Sequence, residues 1–308
     1  MKVVVTGGAG FIGSHVADAF LERGDEVLVV DDLSSGSPDN VPDAAELVEL
    51  DVADGEGVRR TLSGFGPDFV AHLAAQSSVT VSVADPERDF ASNVLGTFNV
   101  VRVATELGAR TAFASTGGAL YGEDVPLPTP ETYVPQPLSP YGAGKQAGEA
   151  YVATLQRFHG VDHLVLRLGN VYGPRQSPHG EAGVVAIFSE RLLLGRPPIV
   201  YGHGTPTRDY VHVRDIARAF TMLADTDVAG TFNLGWGREV TVLEILDGLQ
   251  RAAGTAIEPR LEPLRPGELT RSAIDSSAAA EAFGWRPEVE LEEGLAETFR
   301  WYADTHGR

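Results

Sequence analysis

Apolar residues along the first half of the chain fall into two alternating textures. Short β-branched runs, Lys2–Thr6 (KVVVT) and Glu26–Asp31 (EVLVVD), flank a glycine-rich turn and a helix-patterned stretch that ends near Arg23. This strand–helix–strand unit opens an alternation that continues to about residue 170. Further strands are expected at Leu47–Leu50, Phe69–Leu73, Arg110–Ser115 and His163–Leu168, and long helices at Asp89–Leu107 and Tyr141–His159. Apolar runs without polar alternation belong to strands buried on both faces. The pattern therefore predicts an α/β fold with a doubly wound parallel sheet, helices covering each side.

After Tyr172 the texture changes. Pro174, Pro178, Pro197, Pro198 and Pro206 break the chain together with glycines, and long loops are expected. Two short strands, near Tyr210–His212 and Thr231–Leu234, are placed to return to the main sheet. Gly254–Arg271 is rich in Pro and Glu, and the last 30 residues read as helical. Residues 1–171 thus form one expected domain, with returns near 209–219 and 231–235. Residues 172–308 form a smaller C-terminal α/β domain.

Composition narrows the function. With 43% hydrophobic and 22% charged residues in 308, the chain is of ordinary globular type. No apolar run approaches the roughly 18 residues of a membrane span. The start, MKVVVTGGAG, runs straight into a strand, which sets a cytoplasmic location as the expectation. There is no cysteine, hence no disulfide, thiolate metal site or cysteine nucleophile, and the eight histidines lie without ligand spacing. A net charge of −19 argues against a nucleic-acid partner. Only Lys2 and Lys145 are lysines, the other 22 basic residues being arginine. Salt adaptation and an Arg-for-Lys coding bias both account for that balance.

The first chemical motif is TGGAGFIGSH, which places Gly7, Gly10 and Gly13 directly after a strand and at the opening of a helix. Gly7 permits the tight turn, Gly10 lets backbone N–H groups approach a pyrophosphate, and Gly13 allows close helix–strand packing, while the helix N-terminus faces the anion. Asp31 ends the next strand, where a carboxylate can accept both ribose hydroxyls. A carboxylate there repels a 2′-phosphate, so the cofactor expected of this Rossmann-type domain is NAD and not NADP.

The second motif is Tyr141-Gly-Ala-Gly-Lys145, whose ends lie on one face of a helix. An ammonium beside a buried tyrosine favours the phenolate. Bringing a phenol from a pKa of about 10 to neutrality asks roughly 4 kcal/mol of its surroundings. Lys145 and a positively charged nicotinamide ring are the two expected sources.

Taken with DDLSSG (31–36), HLAAQSSV (72–79), the Asn93-x-x-Gly96-Thr97 helix, STGGALYG (115–122), SPYGAGK (139–145), RLGNVYGPRQ (167–176), RDYVHVRDIARA (208–219), RPGEL (265–269) and GWRPEVELEEGL, the sequence resembles the extended short-chain dehydrogenase/reductase superfamily. Within that superfamily it resembles the UDP-glucose 4-epimerase family, over nearly the whole chain. The resemblance implies tightly held NAD that takes hydride from C4 of a UDP-hexose while Tyr141 takes the O4 proton, the 4-keto sugar then turning over to receive hydride on its other face. Lys145 would lower the Tyr141 pKa and bind the nicotinamide ribose, and Thr116 would supply an assisting hydroxyl, with Ser115 as the fallback.

The same resemblance assigns Phe11, Ile12, Asp31, Asp32, Ser34, Ser35 and Gly36 to the adenosine half of NAD, and Asp51 and Val52 to the adenine. Leu73, Ala74, Ala75, Gln76, Ser115 and Leu168 would line the cofactor, and Asn93 would support the active-site backbone. Asn170 would contact the hexose, Val184 and Val185 would flank the uracil, Arg208 and Arg265 would bind the diphosphate, and Tyr210 and Glu268 the uridine ribose. A 4,6-dehydratase needs an acid–base pair where this chain has Gly117 and Gly118. A uronate enzyme needs hydroxyl or cationic groups where it has Asn170 and Ser177. Ser272 leaves room for an N-acetyl group, so UDP-N-acetylglucosamine is a further expected substrate. A non-catalytic NAD-binding protein would have no need of Tyr141, Lys145 and a hydroxyl together. A homodimer is expected through the helices around 90–107 and 141–159.

Overall fold

A computed structural model describes residues 1–179, 183–264 and 269–306. Seven strands form one parallel sheet: β1 (Lys2–Thr6), β2 (Glu26–Asp31), β3 (Glu46–Glu49), β4 (Phe69–His72), β5 (Arg110–Thr116), β6 (Leu164–Leu168) and, later in the chain, Gly230–Leu234. Their spatial order is 230–234, β6, β5, β4, β1, β2, β3. The winding reverses between β1 and β4, and such a switch point opens a crevice at the carboxyl ends of the strands.

Strand pleating divides the core in two. Val3 and Val5 of β1 face one side with α1 (Phe11–Glu22), while Val4 faces the other with α2 (Gly55–Phe65). The helices α3 (Val79–Ala84), α4 (Pro86–Phe90), α5 (Thr97–Glu106) and α6 (Pro140–His159) complete that second layer. The expected helix 89–107 begins earlier, at Pro86, because Asp85 caps it by accepting from Arg88 N at 3.0 Å. It also carries a π-helical turn over Ala91–Gly96. Ser139 caps α6 by accepting from Gly142 N, Pro140 follows at the first helical position, and left-handed Gly160 ends the helix.

A second core lies beyond residue 171. Tyr172, Val185, Phe188, Leu192, Ile245, Leu246, Leu249 and Leu295 gather around α7 (Val184–Leu193), α9 (Val242–Ala253) and α11 (Leu291–His306). The helix α8 (Val213–Ala224) packs on α1 instead, and α10 (Ser277–Phe283) lies beside the strand 230–234. Two expectations need correction. The strand at Tyr210–His212 does not return to the main sheet but pairs in parallel with Asn170–Tyr172. The reason lies at Gly169: its N–H donates to Leu234 O in the main sheet, whereas the next, Asn170 N, donates to Asp209 O at 2.7 Å. The last 30 residues are not one helical run either, since α10 stops at left-handed Gly284 and a non-helical stretch with Pro287 precedes α11.

Three histidines, His72, His163 and His212, are 0–1% exposed. Burial pushes them down to about 3, about 4 and about 3, so each stays neutral in the folded chain. In the unfolded chain they gain a proton near pH 6.5. Stability should be full above that pH and fall as the pH drops toward 4, each histidine adding about 1.4 kcal/mol per pH unit to the slope. Urea midpoints will be flat from pH 7.5 to about 6.5 and decline from there to pH 5.0, and the decline will be about one third shallower in His163→Gln. A flat profile over that range would contradict it.

Candidate active site

The turn after β1 is built on two close backbone approaches. Gly7 has φ +72°, and a Cβ there would lie 2.6 Å from Ala74 N. A Cβ on Gly13 would lie 2.1 Å from Gly7 O, so α1 can come this close only with a hydrogen at that position. Gly10 has more room, its imagined Cβ 3.2 Å from Gly7 O. It is the N-cap of α1 and makes no side-chain cap, so the first N–H groups of a 12-residue helix point into the turn. Phe11 and Ile12 start the helix.

Asp31 closes the turn at the end of β2. One of its oxygens accepts from Ala9 N at 3.0 Å and the other from Leu33 N at 2.9 Å. Burial raises this carboxyl, and the backbone N–H groups of Leu33, Ala9 and Gly10 work against the rise. Beyond it Asp32 accepts from both the N–H and the hydroxyl of Ser34, and Ser35 leads to Gly36, which packs against the Ala9 backbone. Asp51 is exposed and accepts from Ala53 N, while Val52 is buried against Gly96.

Across the crevice, the run Leu73, Ala74, Ala75 and Gln76 leaves β4. Leu73 N donates to Thr6 O and Ala74 N to Thr6 Oγ1. The Gln76 and Asn93 amides both donate to one oxygen of Asp89, at 2.9 and 2.8 Å, and the Asn93 amide also reaches Gln76 O. Asn93 and Asp89 are both buried.

At the end of β5 the two adjacent hydroxyls part company. Ser115 Oγ donates to Glu149 Oε1 at 2.5 Å, whereas the Thr116 hydroxyl accepts from Ala119 N and favours the ionised form of Tyr141. Lys145 is buried, donates to Ala114 O at 2.9 Å and lies 4.9 Å above the Phe113 ring. Lys145 is not among the groups that shift the phenol in this structure. Burial pushes Tyr141 up to about 12, the Asp89 carboxylate adds to the rise, and the Thr116 hydrogen bond is what opposes it. Burial also pushes Lys145 down to about 8, against the attraction of Asp89 and Glu149.

Gly117 and Gly118 follow on the same wall. A Cβ on Gly117 would meet Ile274 Cδ1 at 2.7 Å, and Gly117 N donates to the carbonyl of buried Leu168. Gly118 faces Asn170, its imagined Cβ 3.3 Å from Asn170 Oδ1. Val184 opens α7, and Val185 beside it is packed into the second core. Arg208 lies on a two-residue strand and donates to Thr207 O; Tyr210 is buried, its ring edge-on to Tyr172. Ser272 is buried as well. Arg265 and Glu268 lie outside the described residues.

Two groups beside the site are given no role by the sequence motifs. One is Asp89. The other is the ion pair of Glu149 with Arg167, whose Nε and second guanidinium nitrogen reach the two carboxylate oxygens at 3.0 and 2.6 Å. Arg167 also donates to Tyr121 OH, which donates to Asn233 Oδ1. The available signal was Arg167 itself, a lone charge inside the apolar run HLVLRL.

Residues 3–235 match the NAD dependent epimerase/dehydratase family. A UDP-glucose 4-epimerase of Mycolicibacterium smegmatis is 43% identical over 309 residues, 98% of each chain. The solved UDP-glucose 4-epimerase of Thermotoga maritima, with UDP-glucose, is similar with a TM-score of 0.97 and 45% identity over 99% of both chains. That of Thermus thermophilus, in complex with NAD, has a TM-score of 0.92 and 45% identity over 99% of this chain and 100% of that one.

The Glu149–Arg167 pair is nearly dry, so removing one partner should cost more than removing both. Arg167→Ala is expected to lose about 3–5 kcal/mol of stability in urea denaturation by stranding the carboxylate. Arg167→Met with Glu149→Gln should recover at least half of it. An Arg167→Ala variant within about 1 kcal/mol of the parent would contradict the pairing.

Proposed function

The chain belongs to the NAD dependent epimerase/dehydratase family, and from that we propose that it inverts C4 of a UDP-hexose, interconverting UDP-galactose and UDP-glucose with NAD held in the crevice. The observation that carries the reading is the Thr116–Tyr141 hydroxyl pair beside Lys145, at the carboxyl end of β5, across the crevice from the glycine turn.

The residues present fit a dinucleotide. Left-handed Gly7, uncapped Gly10 and the Gly13 contact leave a concave run of N–H groups that any larger side chain would fill, and Asp31 stands where a ribose diol would be held. The chemistry NAD supplies when bound is reversible hydride transfer at C4, with a positive ring charge beside the phenol. Tyr141 takes the O4 proton and gives it back. Thr116 donates to the phenolate oxygen and so favours the ionised form. Lys145 adds an ammonium held in place by Ala114 O. Asn170 faces the hexose, and Val184 and Val185 flank the uracil. Arg208 answers the diphosphate from the second lobe, residues 172–308, which we assign to the sugar nucleotide. Gly117 and Gly118 supply no acid–base pair, which favours epimerisation over dehydration.

The homodimer is part of the same reading. Phe90, Leu95, Tyr151 and Phe158 are 40–80% exposed on the outer side of the 86–106 rod and α6, an apolar face suited to a second copy. With no cysteine to oxidise, the chain suits the reducing cytoplasm.

Protein purified without added cofactor should convert UDP-galactose to UDP-glucose, followed by the anomeric proton signals in NMR. Tyr141→Phe should lose at least about 100-fold in rate and Thr116→Val about 10-fold or more, with Ser115→Ala near the parent. No conversion even with NAD supplied, or turnover of UDP-N-acetylglucosamine alone, would overturn the assignment to UDP-hexoses. In light scattering, Tyr151→Asp with Phe158→Asp should halve the mass of the particle; an unchanged mass would remove this face as the interface.

A further inference from the structure

Asp89 takes no part in the reaction as set out above, yet it is buried against the turn of α6 that carries both groups that handle the proton. It sits on α4, two residues before the π-helical turn begins. One of its oxygens accepts from the Gln76 and Asn93 amides, at 2.9 and 2.8 Å. The other lies 3.0 Å from where a Cβ on Gly144 would stand, against the turn of α6 between Tyr141 and Lys145. A side chain at 144 would push the carboxylate away, so glycine there is what admits the contact. Two neutral amides satisfy the carboxylate without cancelling its charge, and Gln76 is itself fixed, its amide also donating to Ser78 O while its oxygen accepts from Ser78 N.

Resting on the epimerase reading, we propose that Asp89 is a positioning residue of the reaction: its fixed negative charge keeps Lys145 an ammonium and holds the proton on Tyr141, and so sets the pH window in which the pair works. Its action on the two groups has one sign. A negative charge favours the ammonium of Lys145 and disfavours the phenolate of Tyr141, and both effects raise the pH at which the group loses its proton. Burial works against the charge on Asp89, and Gln76, Asn93 and Lys145 sustain it.

The other charges around α6 are accounted for. Glu149, one turn beyond Lys145 on the same helix, is tied to Arg167 of β6 and acts on Lys145 alone of the two. His72 of β4 faces Lys145 and is neutral. Glu87 and Arg88 of α4 are exposed, Arg102 of α5 lies over Phe98, Glu106 pairs with Arg59, and Arg110 lies at the far end of β5 on carbonyls of 223, 226 and 228. No residue of α3 is titratable. Asp89 is therefore the one carboxylate among the described residues that acts on both members of the pair.

Asp89→Asn keeps the shape and an acceptor for the two amides while removing the charge; Asp89→Ser is a second, smaller replacement should the first fold poorly. With only two lysines in the chain, protein carrying lysine labelled at Cε gives two signals, and Lys145→Arg assigns them. The Lys145 midpoint should fall by about one pH unit in either Asp89 variant. The acid and alkaline limbs of the epimerase pH–rate profile should both move to lower pH, whereas Glu149→Gln should move the alkaline limb alone. An unmoved Lys145 midpoint, or limbs that stay in place in an active variant, would overturn the inference while leaving the epimerase reading intact. Absence of UDP-galactose turnover in the parent would overturn that reading, and the lysine titration would still decide for or against the action of Asp89 on Lys145.

Discussion

One contact sets the position of everything around the crevice: the approach of α1 to the turn after β1, where Gly13 lies against the Gly7 carbonyl with no space for a carbon. A helix held at that distance aims its first N–H groups at the switch point of the sheet, and its partial positive end becomes part of the crevice floor. Asp31 then has to close the turn from the end of β2, which it does through N–H groups from both sides. The opposite wall follows from β4, since a Cβ on Gly7 would strike the Leu73–Ala74 backbone. Two hydrogens in place of two methyl groups thus bring three strand ends together.

The proton-handling wall is arranged by a different means. There the sheet and α6 exclude water, and the charged groups survive by being paired. Ser115, Glu149, Arg167, Tyr121 and Asn233 form one connected chain of hydrogen bonds that starts at the Ser115 hydroxyl. A network of this kind is costly to assemble and costly to break, and its return is a single geometry. It occupies Ser115, so only Thr116 is left to meet Tyr141. Lys145 is treated similarly, with Ala114 O and the face of Phe113 to receive it.

Features read well from the sequence are those in which cause and effect lie within a few residues. The glycine turn, Asp31 at a strand end, the Ser139–Pro140 start of α6 and the i,i+4 spacing of Tyr141 and Lys145 are of this kind. So is the parallel sheet, because a strand buried on both faces must be apolar throughout. Other features depend on partners far apart in the chain. Residues 210–212 have the composition of a main-sheet strand, and only the switch at Gly169 from Leu234 to Asp209 decides otherwise. Asp89 looks like one more charge in PERDF, and its burial arises from the Gln76 loop and the bare backbone of Gly144. The balance of charges on Tyr141 could not be read from spacing either: proximity to Lys145 was visible, whereas the greater effect of burial was not.

The scarcity of lysine has a practical side. Lys145 is buried behind Phe113 and Ala114, whereas Lys2 is half-exposed at the start of β1. Reagents that attack lysine amines therefore meet one accessible target, Lys2, at one end of the molecule and distant in the fold from the carboxyl ends of the strands. Coupled to an activated surface, the chain would be anchored in a single orientation with its crevice turned outward, a property that most proteins acquire only through an added tag.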